Sequence, residues 1–139
     1  MHYITLQAEH AKRYGVNAAI VLHTLIFFVL KNKKEGRNKY EGKHWTFNSY
    51  PGWQEAMPFF SKNQIRNAML ALRKEGAIIV GNFNKKGYDK TFWYTIETVL
   101  LQEAESQDYW KKRIGNFKKA SDKNVRPIPN NEYIYIEPY

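Results

Sequence analysis

The chain has 139 residues and a formal net charge of +9, from 22 Lys and Arg against 13 Asp and Glu. This is the length of one domain, and the 43% of apolar residues excludes a wholly disordered chain. Cysteine is absent, which excludes a disulfide framework and any cysteine-ligated zinc or iron–sulfur site. The positive charge and the 16% of aromatic residues favour a polyanionic partner.

The first 30 residues predict a buried helix and no targeting or membrane segment. Met1–His10 lacks the charged stretch and apolar run of a signal peptide. Gly15 precedes a nearly continuous apolar run, so we expect a helix from about Val16 to Asn32 in the core. Its most apolar part, Ala18–Leu30, has 13 residues, fewer than the roughly 20 that a bilayer requires. We therefore expect a soluble, cytoplasmic protein with no membrane partner.

Most of the excess positive charge lies in the middle of the chain. Residues 31–90 contain 13 basic and five acidic residues, whereas residues 1–30 have a net charge of +1 and residues 91–139 of zero. Lys31–Lys43 has two glycines and no apolar periodicity, which predicts a loop. Its cations either contact a phosphate backbone or are simply solvated. They include Lys31, Lys33, Lys34, Arg37 and Lys39.

A short strand and a short helix are predicted next. His44–Phe47 is aromatic and alternating, as in a strand. Ser49 can cap a helix that has Pro51 in its first turn, and Pro58 ends this helix near Met57.

The clearest helix signal spans Ser61–Gly76. Ser61 and Gln64 have the spacing of a capping box, and Gly76 can end the helix in the left-handed conformation. One apolar stripe is predicted to face the core. It consists of Ile65, Ala68, Met69 and Leu72.

A hairpin completes the middle segment, with strands Ala77–Phe83 and Thr91–Ile96 around a turn at Asn84–Asp89. The order helix, strand, helix, helix, hairpin is the connectivity of a winged helix-turn-helix. We therefore predict an α+β, mostly helical fold of this type. Its helix pair would be Pro51–Met57 and Lys62–Glu75, and its wing would lie around Asn84–Lys90.

The C-terminal third predicts an additional helix, Thr98–Phe117, and an extended linker, Ser121–Asn131. Asn131–Tyr139 alternates Tyr and Ile, which is typical of an edge strand or of a partner-binding tail. The expected divisions are residues 1–97, 98–119 and 120–139. Because Val16–Leu30 is apolar nearly all round, we expect either a homodimer or the additional helix to cover it.

Several local motifs together resemble a known family. They are Gly15–Leu22; Trp45, Ser49, Tyr50 and Trp53; Pro58–Ser61 with Ile65; Leu72, Gly76 and Ile78; Gly81–Asn84; and Thr91, Trp93 and Tyr94. This pattern is similar to the N-terminal winged-helix domain of phage replication initiators, the replisome organisers, and to DnaD-like primosomal proteins. The resemblance implies DNA binding or self-association, and phages also use winged helices in small regulators and in inhibitors of host defence.

The predicted DNA-contacting residues belong to the second helix of the pair and to the wing. On the helix, side chains that can contact base edges or phosphates lie opposite the apolar stripe or at the N-terminus. These are Lys62, Asn63, Gln64, Arg66, Asn67 and Lys74. At the wing, the corresponding residues are Asn84, Lys85, Lys86 and Lys90. Either set could also be an ordinary solvated surface, and Trp45, Trp53, Trp93 and Tyr94 are expected in the core rather than stacked on bases.

No enzyme signature is present in the sequence. The four histidines lack metal-ligand spacing, and there is no phosphate-binding glycine loop, so we expect no catalytic residues, metal or cofactor. The leading hypothesis is a phage-type protein that binds double-stranded DNA in replication initiation or transcriptional regulation. The alternative is an inhibitor or adaptor on the same fold that binds a host or phage protein.

Overall fold

A computed structural model of the chain describes residues 5–115, which form an α+β, mostly helical fold, as predicted. The linker and tail predicted within residues 120–139 lie outside the described residues. The helices of the described part are α1 (Ala8–Tyr14), α2 (Val16–Glu35), α3 (Tyr50–Ala56), α4 (Lys62–Lys74), α5 (Thr98–Ser106) and α6 (Asp108–Ile114). The strands are β1 (Lys39–Tyr40), β2 (Lys43–His44), β3 (Thr46–Phe47), β4 (Ile78–Gly81) and β5 (Trp93–Ile96).

Helix α2 is the centre of the core. Its side chains are buried on several sides, and Val21, Leu22, Leu25 and Val29 are completely inaccessible to solvent. Helices α1, α4, α5 and α6 and the central strand β5 all pack against it. The cover that this apolar helix requires therefore comes from the same chain, and the burial of α2 gives no argument for a homodimer.

The helix is also longer than predicted. It continues to Glu35, and Gly36 ends it in the left-handed conformation at φ 70°. By length and composition alone, its 20 residues would suffice to cross a membrane, so the argument from a short apolar run was wrong. In the described structure, 61% of its most apolar window is buried against the rest of the protein.

Two regular elements occur where none was predicted. Helix α1 precedes α2, with Gly15 between them at φ 90°. The predicted loop Lys31–Lys43 is wrong, because it contains the end of α2 and most of the β1–β2 hairpin. Glu41 and Gly42 both have positive φ, as the two central residues of a type I′ turn require.

The main sheet has the strand order β3-β5-β4 and is antiparallel throughout. The predicted strand His44–Phe47 is divided at Trp45, so that β2 pairs with β1 and β3 pairs with β5. The β4–β5 strands are shorter than predicted, and residues 82–92 connect them. Because β3 immediately precedes α3, its pairing with β5 holds the β4–β5 hairpin beside the helix pair.

Capping interactions fix α3 and α4 as predicted. The Ser49 hydroxyl accepts a hydrogen bond from the Gly52 amide. At α4, Ser61 and Gln64 form a complete capping box, with each side chain accepting from the other's backbone amide at 3.1 and 2.9 Å. Gly76 follows α4 at φ 75°, and its amide donates to the Arg73 carbonyl in a Schellman arrangement.

The single predicted helix Thr98–Phe117 is instead two helices. The chain is extended at Gln107 (φ −86°, ψ 136°), which ends α5 and begins α6. This bend lets both helices pack on α2, with Trp110 of α6 completely buried. The Lys34 ammonium donates to the Ile114 carbonyl at 2.6 Å and thereby satisfies one of the last carbonyls of α6.

A polar cluster around the buried His23 side chain joins α2 to α6. The His23 Nε2 atom lies 2.7 Å from the Thr5 hydroxyl and 3.2 Å from the Tyr109 hydroxyl, which in turn accepts from Arg113. The His23 ring also packs against the Trp110 ring, with centroids 4.5 Å apart. Burial, with the nearby Arg113 and His10 charges, lowers the pKa of His23 to about 4.

We predict that Gly76→Ala lowers the free energy of unfolding by about 1–2 kcal/mol, because an L-residue is strained in the left-handed conformation. An added Cβ would meet no atom within 4 Å, so strain is the only cost. Gly87→Ala is the matched control, since its Cβ also has open space and its φ is not positive. Urea denaturation would contradict this account if both variants lost the same stability.

Acid should destabilise the protein through His23. Unfolded histidine binds a proton at about pH 6.5, whereas folded His23 binds it only near pH 4. The stability is therefore complete above pH 6.5 and falls as the pH decreases toward 4, by about 3 kcal/mol at most from this residue. His23→Gln should flatten the pH dependence of the unfolding free energy. Parallel profiles for the two proteins would refute this role.

Candidate nucleic-acid interface

One face of α4 is fully exposed because the opposite face is committed to the core. Ile65, Ala68, Met69 and Leu72 are buried, as the apolar stripe predicts. The remaining positions point to solvent with side chains of mainly basic and amide character. We call them, together with the lysines of the β4–β5 loop, the basic face. It comprises Lys62, Asn63, Arg66, Asn67, Leu70, Arg73 and Lys74 of α4, and Lys85, Lys86 and Lys90 of the loop.

The β4–β5 loop, residues 82–92, is ordered by its own side chains. The Asn84 amide donates to the carbonyls of Asp89 (3.0 Å) and Thr91 (2.8 Å), and its oxygen accepts from the Trp93 indole at 2.8 Å. The Asp89 carboxylate accepts from the Thr91 amide, which lowers the pKa of Asp89. These bonds close the loop into a defined shape without regular strand pairing.

A tight turn forms the tip of the loop. The Asp89 amide donates to the Lys86 carbonyl at 3.0 Å, so Gly87 and Tyr88 occupy the two central turn positions. The Lys90 ammonium donates to the Gly87 carbonyl at 3.1 Å. The turn directs Tyr88 into solvent, where 77% of its surface is exposed.

A contact between Arg73 and Phe92 joins α4 to the loop. The guanidinium carbon lies 5.9 Å from the centroid of the Phe92 ring, within cation–π distance. At the other end of α4, the Lys62 ammonium lies 5.6 Å from the Tyr50 ring of α3. The two helices and the loop therefore form one surface.

The cations at the end of α2 differ from those of the basic face in whether they form ion pairs. At the C-terminal end of α2, Lys31 and Arg37 pair with Glu35 at 3.1 and 3.2 Å, and Lys33 pairs with Glu105 at 2.6 Å. These cations, for which either phosphate contact or solvation was predicted, therefore form ion pairs within the protein. Within residues 5–115, no cation of the basic face forms an ion pair.

Two predicted contact residues have local structural roles. The Gln64 side-chain oxygen completes the capping box and is not available for base contact. The Asn84 side chain is engaged within the protein, because both amide hydrogens donate within the loop and its oxygen accepts from the Trp93 indole. The other eight predicted residues, Lys62, Asn63, Arg66, Asn67, Lys74, Lys85, Lys86 and Lys90, are exposed.

The structure also adds residues that were not predicted. Arg73 lies at the side of α4 on a helical wheel and contributes to the surface only through its contact with Phe92. Tyr88 had a signal in the sequence, because an aromatic residue after glycine at a turn tip has no core to enter. As predicted, Trp45, Trp53, Trp93 and Tyr94 are buried. Among the described residues, no group of three His, Asp or Glu side chains could hold a metal ion.

No protein-family model, curated protein or solved structure matches the chain.

Asn84→Ala should lower the free energy of unfolding by about 1–3 kcal/mol, because the buried Trp93 indole would lose its hydrogen-bond acceptor. Asn82→Ala is the control, since that side chain is exposed and its bonds to the Asp89 carbonyl (3.4 Å) and from the Asn84 amide (3.0 Å) are themselves exposed. Thermal denaturation followed by tryptophan fluorescence would test both. An Asn84→Ala variant as stable as Asn82→Ala would show that the loop does not depend on this residue.

Proposed function

We propose that this chain is a winged-helix domain that binds double-stranded DNA, with α4 as the recognition helix and the β4–β5 hairpin as the wing. The observation that supports this most directly is the basic face, where seven cations share one surface without an internal ion pair among residues 5–115. Unpaired cations on one side of a small domain attract a phosphate backbone.

The fold supports the same assignment. Helices α3 and α4 are adjacent and separated by residues 57–61. Strand β3 precedes this helix pair and the β4–β5 hairpin follows it, and all three strands form one sheet. In a helix-turn-helix, the N-terminal part of the second helix enters the major groove. Asn63, Arg66 and Asn67 occupy that part of α4, and their side chains can contact adenine or guanine edges. The loop lysines would then contact phosphates.

Replication initiation and transcriptional regulation, in a phage setting, are the roles that we propose within this class. Both require duplex binding. The rival function, a protein-binding inhibitor or adaptor, gains support from Leu70, which is 53% exposed in the middle of the basic face. An apolar side chain there can contact a thymine methyl group or a protein surface. A nuclease-resistant protein complex without duplex binding would favour the rival.

A salt titration on duplex DNA tests the proposal. We expect the affinity to fall by about 10³-fold or more between about 50 and 200 mM salt, as for a protein with six or more phosphate contacts. An affinity that barely changes would reject phosphate contact as the mechanism.

Single substitutions test the face itself. Arg66→Ala should weaken binding to the preferred sequence by about 1–3 kcal/mol and relax specificity, whereas Lys86→Ala should weaken binding to all sequences alike. Lys12→Ala is the control, because it removes one exposed positive charge from α1, which is not part of the basic face. Equal losses for Lys12→Ala and Arg66→Ala would indicate that only net charge matters.

A further inference from the structure

The β4–β5 loop exposes aromatic rings in a region where the other aromatic rings are packed. Tyr88 is 77% exposed and Phe92 is 48% exposed. By contrast, Phe83 at the start of the same loop stacks on Tyr40 with ring centroids 4.7 Å apart, and Trp93 of β5 is buried. The loop therefore places the Tyr88 ring in solvent, whereas the half-exposed Phe92 ring keeps one edge contact with the buried Tyr94 ring, with centroids 6.4 Å apart.

The loop holds this exposed geometry through its own hydrogen bonds. Tyr88 sits in the turn closed by the Asp89 amide and the Lys86 carbonyl, and the Asn84 side chain binds the carbonyls of Asp89 and Thr91 on either side of Lys90. An aromatic ring in water forgoes the free energy that its burial would contribute. In this loop, hydrogen bonds fix the backbone around the exposed Tyr88 ring.

Each exposed ring also has a cation near it. The Lys86 ammonium lies 5.8 Å from the Tyr88 ring centroid, and the Arg73 guanidinium carbon lies 5.9 Å from that of Phe92. An aromatic ring beside an unpaired cation is the combination that binds single-stranded nucleic acid, because the ring stacks on a base while the cation attracts the phosphate. A protein partner would have to present acidic and apolar groups side by side at this spacing. A polynucleotide presents a phosphate and a base at every nucleotide.

We propose that Tyr88 and Phe92 stack on unpaired bases, so that the preferred ligand is DNA with a single-stranded segment next to a duplex. The inference rests on the proposed function, because α4 is taken to hold the duplex. In an intact duplex the base faces are stacked on one another and cannot receive a ring. The loop therefore gains its stacking contacts only where strands are separated, as at a fork or a melted origin.

The test compares a blunt duplex with a forked duplex of the same sequence and with matched single strands, by fluorescence anisotropy. We expect the fork to bind about tenfold more tightly than the duplex. Tyr88→Ala should remove this preference and leave duplex affinity unchanged, whereas Tyr88→Phe should retain it. Phe92→Ala should also remove the preference but lower duplex affinity as well, because Arg73 loses the ring that it contacts. Phe59→Ala is the matched control, because Phe59 is 45% exposed but precedes α4 and is not in the loop. A 2-aminopurine in the unpaired arm should be quenched by the wild-type protein and not by Tyr88→Ala.

The outcomes separate the inference from the proposed function. Equal affinity for fork and duplex, or an equal loss on both with Tyr88→Ala, would overturn the stacking role while duplex binding stands. Absence of duplex binding even at low salt would reject the proposed function. If single strands still bound in that case and Tyr88→Ala abolished the binding, the stacking role would stand alone.

Discussion

The burial of α2 is the constraint on which the rest of the structure depends. A helix with apolar side chains on nearly every side must be covered all round, and among the described residues four helices and three strands pack against it. Each of those elements must turn an apolar stripe inward. For α4 this stripe is Ile65 to Leu72, and its burial leaves the opposite side of the helix in solvent. The orientation of the basic face is therefore a consequence of core packing.

Acidic residues determine which cations remain available on the surface. Glu35 and Glu105 neutralise cations near the end of α2, and Lys34 is occupied by a carbonyl at the end of α6. Paired cations of this kind stabilise the fold weakly and attract little. On α4 and the β4–β5 loop, the nearest acids in sequence, Glu75 and Asp89, form no ion pair within the described residues. The net charge of residues 31–90 thus overstates the charge left unpaired near the end of α2. It is a good measure of the unpaired charge on α4 and the β4–β5 loop.

Sequence patterns predicted the elements whose signals are local. The capping box at Ser61, the stripe along α4 and the glycine cap at Gly76 depend on residues within a few positions of each other, and all were confirmed. The misses have a different origin. The β1–β2 hairpin is fixed partly by the Trp45 indole, which donates to the Tyr40 carbonyl and packs on Phe83, a residue 38 positions away. Likewise, the bend at Gln107 follows from the shape of α2, onto which α5 and α6 must both pack.

The same distinction applies to the candidate site. The exposed cations of α4 follow from its periodicity, and nine of the ten predicted contact residues are exposed, all but Asn84. Two of the predicted amides, Gln64 and Asn84, form hydrogen bonds with backbone groups. The hydrogen bonds of the Asn84 side chain order the loop and leave that side chain without a donor for a base. A loop ordered in this way keeps its shape while Tyr88 is exposed to water. Because the position of the ring is fixed before binding, less entropy is lost when a ligand stacks on it. The residue that sequence reasoning assigned to binding thus acts one step earlier, by fixing the loop that presents the exposed ring.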